Sequence, residues 1–148
     1  ADLLPCLNTL STNLKLACQM LVEHQIQPVF EMINGTDMPR FLVQNIAQAQ
    51  EMLEAVQHPA LKMQYDCYHM AMMGEDILSS LAENIQDIGH IQFADCPGRH
   101  EPDSGQIAYT QIFKWLNQSE YAGYVAAEYR PRSNSSHSFA WKDKYFQN

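Results

Sequence analysis

The chain has 148 residues, enough for one domain around one hydrophobic core, and its 46% hydrophobic and 18% charged residues exclude a disordered or fibrous protein. A formal net charge of −8 without a basic stripe argues against nucleic acid and against a polybasic membrane contact. No apolar run approaches the ~20 residues that span a bilayer, and no signal peptide is expected in "ADLLPCLNTL", which lacks a basic region followed by an apolar stretch.

Residues 9–24 place Leu10, Leu14, Ala17, Leu21 and Val22 near the helical period, which predicts an amphipathic helix. "IQPVFEMI" reads as a short strand ending near Glu31. "NGTDMP" supplies turn residues, and Pro39 suits the first turn of a helix over 40–57, with Phe41, Ile46, Ala49, Leu53 and Val56 on its apolar side. "ALKMQYDCYHM" reads as a strand whose end carries Asp66 and His69. "GEDILSSLAENIQDI" reads as a helix and "HIQFAD" as a strand. A charged loop, a helix over 109–117 and a last strand, "GYVAAEYRP", follow. The tail, 132–148, is Ser-rich and irregular as far as Phe139 and Trp141. Met72, Met73, Phe113 and Trp115 read as packing residues. Cys6, Cys18, Cys67 and Cys96 contain no CxxC pair, which suits reduced thiols in the cytoplasm better than a disulfide framework or a zinc cluster.

Strands alternating with helices imply right-handed crossovers and a parallel sheet, so the fold class is α/β. A complete (β/α)8 TIM barrel takes about 250 residues. Four βα units across 1–148 therefore make a single domain of half-barrel size, completed by a missing half or by a second copy, because open edges of a parallel sheet invite association.

Each strand delivers an oxygen-bearing side chain near its C-terminal end: Glu31, Asp66, Gln92 and Glu128, one βα unit apart each time. In a parallel barrel such ends converge on one mouth, where active sites form. Three carboxylates and an amide oxygen suit a hard divalent ion, Mg2+ or Mn2+. Each of these residues taken singly fits a solvated loop position or, for Gln92, a core amide bonded to backbone. His69 reads either as a loop histidine or a cap of the following helix, or as a hydrogen-bond donor to a substrate oxygen. Arg99, in "CPGRHEPDSG", reads either as a solvated turn residue or as a guanidinium over the mouth that holds a substrate carboxylate.

"FEMIN", "LKMQYDCYHM", "GHIQFADCPGRHEPDSGQIAY" and "GYVAAEYRP", in that order, resemble the C-terminal half of the hydroxypyruvate isomerase and 2-oxo-tetronate isomerase family, a group of xylose-isomerase-like barrels. The resemblance runs from about Leu10 to Pro131. It implies Glu31, Asp66, Gln92 and Glu128 as ligands of a divalent metal, Glu31 and Glu128 also as the catalytic acid and base, and His69 and Arg99 as substrate contacts. It further implies isomerisation of a small hydroxy-oxo acid, hydroxypyruvate to tartronate semialdehyde, through an enediolate. The sequence departs from the family at Met32, where proline is frequent, and at Gln106 and Ala108, where glutamate and asparagine are usual. A non-catalytic, self-associating half barrel and a sugar epimerase on the same scaffold are the competing readings. An endonuclease of this group is disfavoured by Gln92, where a histidine ligand would be expected, and by the acidic net charge.

Overall fold

Parallel neighbours cannot be joined by a tight turn, so each strand of this chain leads into a helical crossover. The computed structural model describes residues 3–146. Its strands are β1 (Val29–Glu31), β2 (Lys62–Asp66), β3 (Ile88–Phe93) and β4 (Tyr124–Ala127), paired in parallel and in chain order. Helix α1 (Leu4–Glu23) precedes β1, and α2 (Ile46–Val56) joins β1 to β2. Helices α3 (Cys67–Met72) and α4 (Ile77–Asn84) join β2 to β3, and α5 (Tyr109–Gln118) joins β3 to β4. Residues 1–2 and 147–148, the ends of the expected 1–148 domain and of its tail, lie outside the described residues.

Strand alternation divides the sheet into two faces. Met63, Tyr65, Ile91 and Phe93 are buried under the helices, in a core shared with Met32, Ala49, Leu81, Ile112 and Phe113. The opposite face carries Lys62, Gln64, His90 and Gln92, all half-buried. Complete barrels usually fill this inner face with branched apolar residues. Here its β2 and β3 positions are polar, and Gln64 Nε2 donates to Gln92 Oε1 at 2.6 Å. That bond satisfies two amides that an apolar interior would leave unpaired.

The register staggers the strand ends. Glu31 pairs with Gln64, Asp66 with Gln92, and Gln92 with Ala126. Asp66 thus stands two residues beyond the level of Glu31, and Glu128 two beyond that of Gln92. Such a stagger is the local form of barrel shear.

Several boundaries differ from the sequence reading. The helix expected over 40–57 begins only at Ile46, because the Asn45 side chain accepts from Gln48 N and fixes the N-cap there. Pro39 therefore belongs to a turn that ends with Arg40 at φ 70°, not to the helix. The strand expected through His69 stops at Asp66, whose carboxylate accepts from Tyr68 N and starts α3. The tail expected to be irregular carries α6 (Ser135–Ser138) and α7 (Trp141–Tyr145). Its order has a packing cause: the Trp141 ring meets Phe93 edge-on at 5.2 Å, and its Nε1 donates to Tyr129 OH at 3.1 Å. Phe113 is buried and Trp115 packs on the core, as expected, whereas Met73 is exposed.

Candidate functional site

Asp66 is placed by the strand-to-helix switch itself. One carboxylate oxygen, Oδ1, is committed to the cap on Tyr68 N at 2.9 Å. The other, Oδ2, faces Arg99 Nη2 at 3.2 Å and His69 Nε2 at 3.7 Å. Full burial pushes its pKa up to about 7, against the lowering effects of the Tyr68 N–H and of Arg99; Glu31 and Glu128 push it up further. Glu31, at the end of β1, is raised by burial too, with a hydrogen bond from Gln64 opposing and Glu128 reinforcing. Glu31 Oε1 is buried with no hydrogen-bond partner among the described residues, 3.9 Å from His69 Nε2. One donor atom each from Glu31, Asp66 and His69 fall within 4.8 Å of one another.

Arg99 is delivered by a stitched loop. Asp95 is fully buried, and its Oδ1 accepts from Cys96 N at 2.8 Å and Ile107 N at 3.0 Å. Its backbone N–H donates to His100 O, and its carbonyl accepts from Arg99 N. Gly105 lies so close that a Cβ there would overlap the Cys96 carbonyl and Asp95 Oδ1. Arg99 itself is left-handed at φ 55° and its carbonyl accepts from Arg130 N at 2.8 Å, which ties the loop to the segment after β4. The guanidinium lies 5.1 Å from the Tyr68 ring centre and reaches Glu128 Oε2 at 2.5 Å as well as Asp66. Gln106 holds the loop only by donating its backbone N–H to Cys96 O, a bond indifferent to the side chain. Ala108 stands at the N-cap of α5, where it offers no side-chain cap.

His69 sits in the first turn of α3, buried, with Nδ1 turned away from the carboxylates. Burial and, secondarily, Arg99 push its pKa down to about 4, so the ring is neutral at neutral pH. Beside it lies a polar cluster that sequence reasoning missed, in which Asn34 and Tyr68 are buried and Asp37 is exposed. Asn34 Nδ2 is 2.7 Å from His69 Nδ1 and 3.0 Å from Asp37 Oδ2. Tyr68 OH donates to the same Asp37 oxygen at 2.8 Å. Those two bonds hold the Asp37 carboxyl below its usual range. The signal was present in "FEMIN", where an asparagine follows the strand end after two apolar residues. Gln64 was missed as well, although it stands two positions before Asp66 and so on the same strand face.

Glu31, His69, Arg99 and Glu128 line one cavity of about 580 Å3, with Asp37, Tyr68 and Arg130 on its wall. Asp66 adjoins it through Arg99 and His69. Gln92 is set apart by its bond to Gln64, so its carbonyl oxygen has only one lone pair left to offer. The donor set fits a hard divalent cation: Glu31 Oε1 is an unpartnered buried carboxylate oxygen, and Asp66 Oδ2 is satisfied only by a cation already, the guanidinium of Arg99.

The sequence profile of the xylose isomerase-like TIM barrels matches residues 2–145. Hydroxypyruvate isomerase of Escherichia coli (strain K12) is 37% identical over 137 residues, which cover 93% of this chain and 53% of that protein. The 2-oxo-tetronate isomerase of Cupriavidus necator is 34% identical over 145 residues, covering 98% and 56%. The chain thus spans about half the length of these curated relatives. A solved family 2 AP endonuclease from Brucella melitensis superposes with a TM-score of 0.92 at 30% identity, over 97% of this chain and 56% of that one. The 3-keto-D-glucoside 4-epimerase of E. coli follows with 0.84 at 23%, a likeness of fold alone, over 97% and 56%. With a parallel sheet in chain order, staggered strand ends and a matching profile along nearly its whole length, the chain belongs to the xylose isomerase-like TIM barrel family.

Proposed function

We propose that this chain carries the metal-binding half of an isomerase site for a small hydroxy-oxo acid, with hydroxypyruvate and tartronate semialdehyde as the interconverted pair. The observation that carries the reading is the convergence of Glu31 and Glu128 on one cavity with a neutral histidine and an arginine. The names of the related isomerases support the same class of reaction.

The chemistry asks for a proton to leave the carbon beside a carbonyl and for one to arrive at the neighbouring carbon. Glu31 and Glu128 supply the two carboxyl groups, one as base and one as acid, through an enediolate. Burial of Glu31 raises its proton affinity, which suits a group that must take up a proton from carbon and give it back. Glu31, Asp66, Gln92 and Glu128 would hold a Mg2+ or Mn2+ ion, which when bound supplies positive charge that acidifies the α-proton and stabilises the developing oxyanion. His69 points Nε2 toward the cavity as a donor to a substrate oxygen. Arg99 exchanges Glu128 for the carboxylate of the acid, which it grips with two parallel N–H bonds.

The partner chemistry follows from the sheet. Among the described residues, strands β1 and β4 each pair on one side only, which supports completion of the barrel by four further βα units or by a second copy. The four cysteines are free thiols, in keeping with a cytoplasmic location, and no described helix is long and apolar enough to cross a membrane. A sugar epimerase would use the same pair of glutamates. The test is product analysis by chiral chromatography of a protein containing this chain, offered hydroxypyruvate and a set of ketoses with Mg2+ or Mn2+. Tartronate semialdehyde is the expected product. Epimerised ketose without it would replace this reading by the epimerase.

A further inference from the structure

We propose that Asn34 is a positioning residue that locks His69 in the tautomer with its proton on Nε2, so that His69 enters the cavity as a hydrogen-bond donor and not as a metal ligand.

The assignment rests on a chain of hydrogen bonds whose directions leave no freedom. Asn34 is fully buried, and its Oδ1 accepts from two backbone N–H groups, Thr36 at 3.1 Å and Asp37 at 2.8 Å. Backbone donors cannot reverse, so this end of the amide is the oxygen and the other end is the NH2 group. That group has two hydrogens and two neighbours: the Asp37 carboxylate at 3.0 Å and His69 Nδ1 at 2.7 Å. A second donor, the Asn34 backbone N–H, also points at Nδ1, at 3.4 Å. A ring nitrogen faced by two donors must be the acceptor, so the proton of the neutral ring is on Nε2.

Nε2 has no hydrogen-bonding protein partner among the described residues. Its nearest carboxylate oxygens, Asp66 Oδ2 and Glu31 Oε1, lie at 3.7 and 3.9 Å, beyond hydrogen-bond reach. The N–H is thus offered to the cavity, where an oxygen of the ligand can accept it. The same proton blocks coordination, because a nitrogen binds a metal through the lone pair that the proton occupies. The cluster of Glu31, Asp66 and His69 then resolves into two oxygen ligands and one donor. The cavity recognises a carbonyl or hydroxyl oxygen through His69, placed beside carboxylates rather than in their coordination shell. This assignment rests on the isomerase reading only for what the donor binds; the tautomer stands on the geometry alone.

The decisive measurement is long-range 1H–15N correlation NMR of the imidazoles at neutral pH, with His69 identified by His69→Gln. The wild-type protein should give the Nε2–H pattern for His69, and adding Mg2+ should leave Nε2 protonated. Asn34→Asp keeps the acceptor for Thr36 and Asp37 but removes the donor, so His69 Nδ1 should gain a proton. Asn34→Ala should give intermediate shifts, as the weaker backbone donor alone holds the ring. An Nδ1–H pattern in the wild type, loss of the Nε2 proton on Mg2+ addition, or an unchanged pattern in both Asn34 variants would overturn the assignment. None of these readouts depends on turnover, so a failed isomerase assay and a failed tautomer assignment are separable, and the wild-type spectrum decides even where a variant does not fold.

Discussion

Arg99 Nη2 lies 3.2 Å from Asp66 Oδ2, and that ion pair fastens the loop after β3 to the end of β2. Asp66 is fully buried, and among the described residues the guanidinium is the one positive charge that stabilises its ionised form. The same nitrogen reaches Glu128, whose side chain is 53% exposed. One cation therefore joins a buried and an open carboxylate across the mouth of the sheet.

Asp66 should make the metal-free protein less stable as pH rises. Its folded pKa, about 7, lies above the 3.8 of an ordinary aspartate, so the folded state binds the proton more tightly. The stability this contributes is complete below pH ~4 and is lost as pH rises through about 7. Asp66→Asn, which keeps the cap on Tyr68 N, should remove that loss, a relative gain on the order of 2–4 kcal/mol between pH 4 and 8. Urea denaturation of both proteins in chelator across that range measures it. Parallel pH profiles for the two proteins would refute the prediction.

Glu31→Gln and Glu128→Gln should each lower kcat by roughly 10²- to 10⁴-fold in an active protein, with the fold retained by circular dichroism. Both substitutions keep size and lose the ability to carry a proton. Normal turnover in both variants would remove the glutamates from the mechanism.

Arg99→Lys should raise KM for a substrate with a carboxylate by about 10- to 100-fold, as an ammonium cannot make two parallel bonds to it. A substrate analogue with the carboxylate replaced by a hydroxymethyl group should show little difference between the two proteins. Initial-rate kinetics with both compounds gives the comparison.

Gly105→Ala should destabilise the protein by about 1–3 kcal/mol, because the new methyl meets a backbone carbonyl and the buried Asp95 carboxylate rather than a movable side chain. Thermal unfolding reports it, and an unchanged Tm would show that the loop can shift freely.

The isolated chain should sediment as more than its 16.9 kDa monomer, as β1 and β4 each leave one edge unpaired. Appending the four βα units expected to complete the barrel should return it to a species with a closed sheet. Sedimentation velocity of the two proteins distinguishes these outcomes, and a monodisperse monomer of the isolated chain would count against edge-driven association.

The alternation of apolar segments made the parallel α/β sheet legible, because period-two and helical patterns are local and each strand end repeats one βα unit later. Glu31, Asp66 and Glu128 could be picked out on that basis. The extent of the strand before His69 could not, since "QYDCYHM" is equally apolar on both sides of Asp66. Only the cap on Tyr68 N ends the strand there and turns His69 onto a helix. Trp141 behaves likewise: the Ser-rich stretch before it carries no ordering signal, and the Phe93 ring and Tyr129 hydroxyl that hold it lie farther back along the chain.

By itself, then, the sequence determined the order of strands and helices, the oxygen-rich set at the strand ends and the family to which they point, all of which depend on spacing along the chain. Tertiary structure decided what those groups face. Gln92 spends an oxygen lone pair on Gln64 across the register, Arg99 spans Asp66 and Glu128, and Asn34 sets the direction of the His69 ring. Hydrogen-bond partners and desolvation arise between residues distant in sequence, and no local pattern records them.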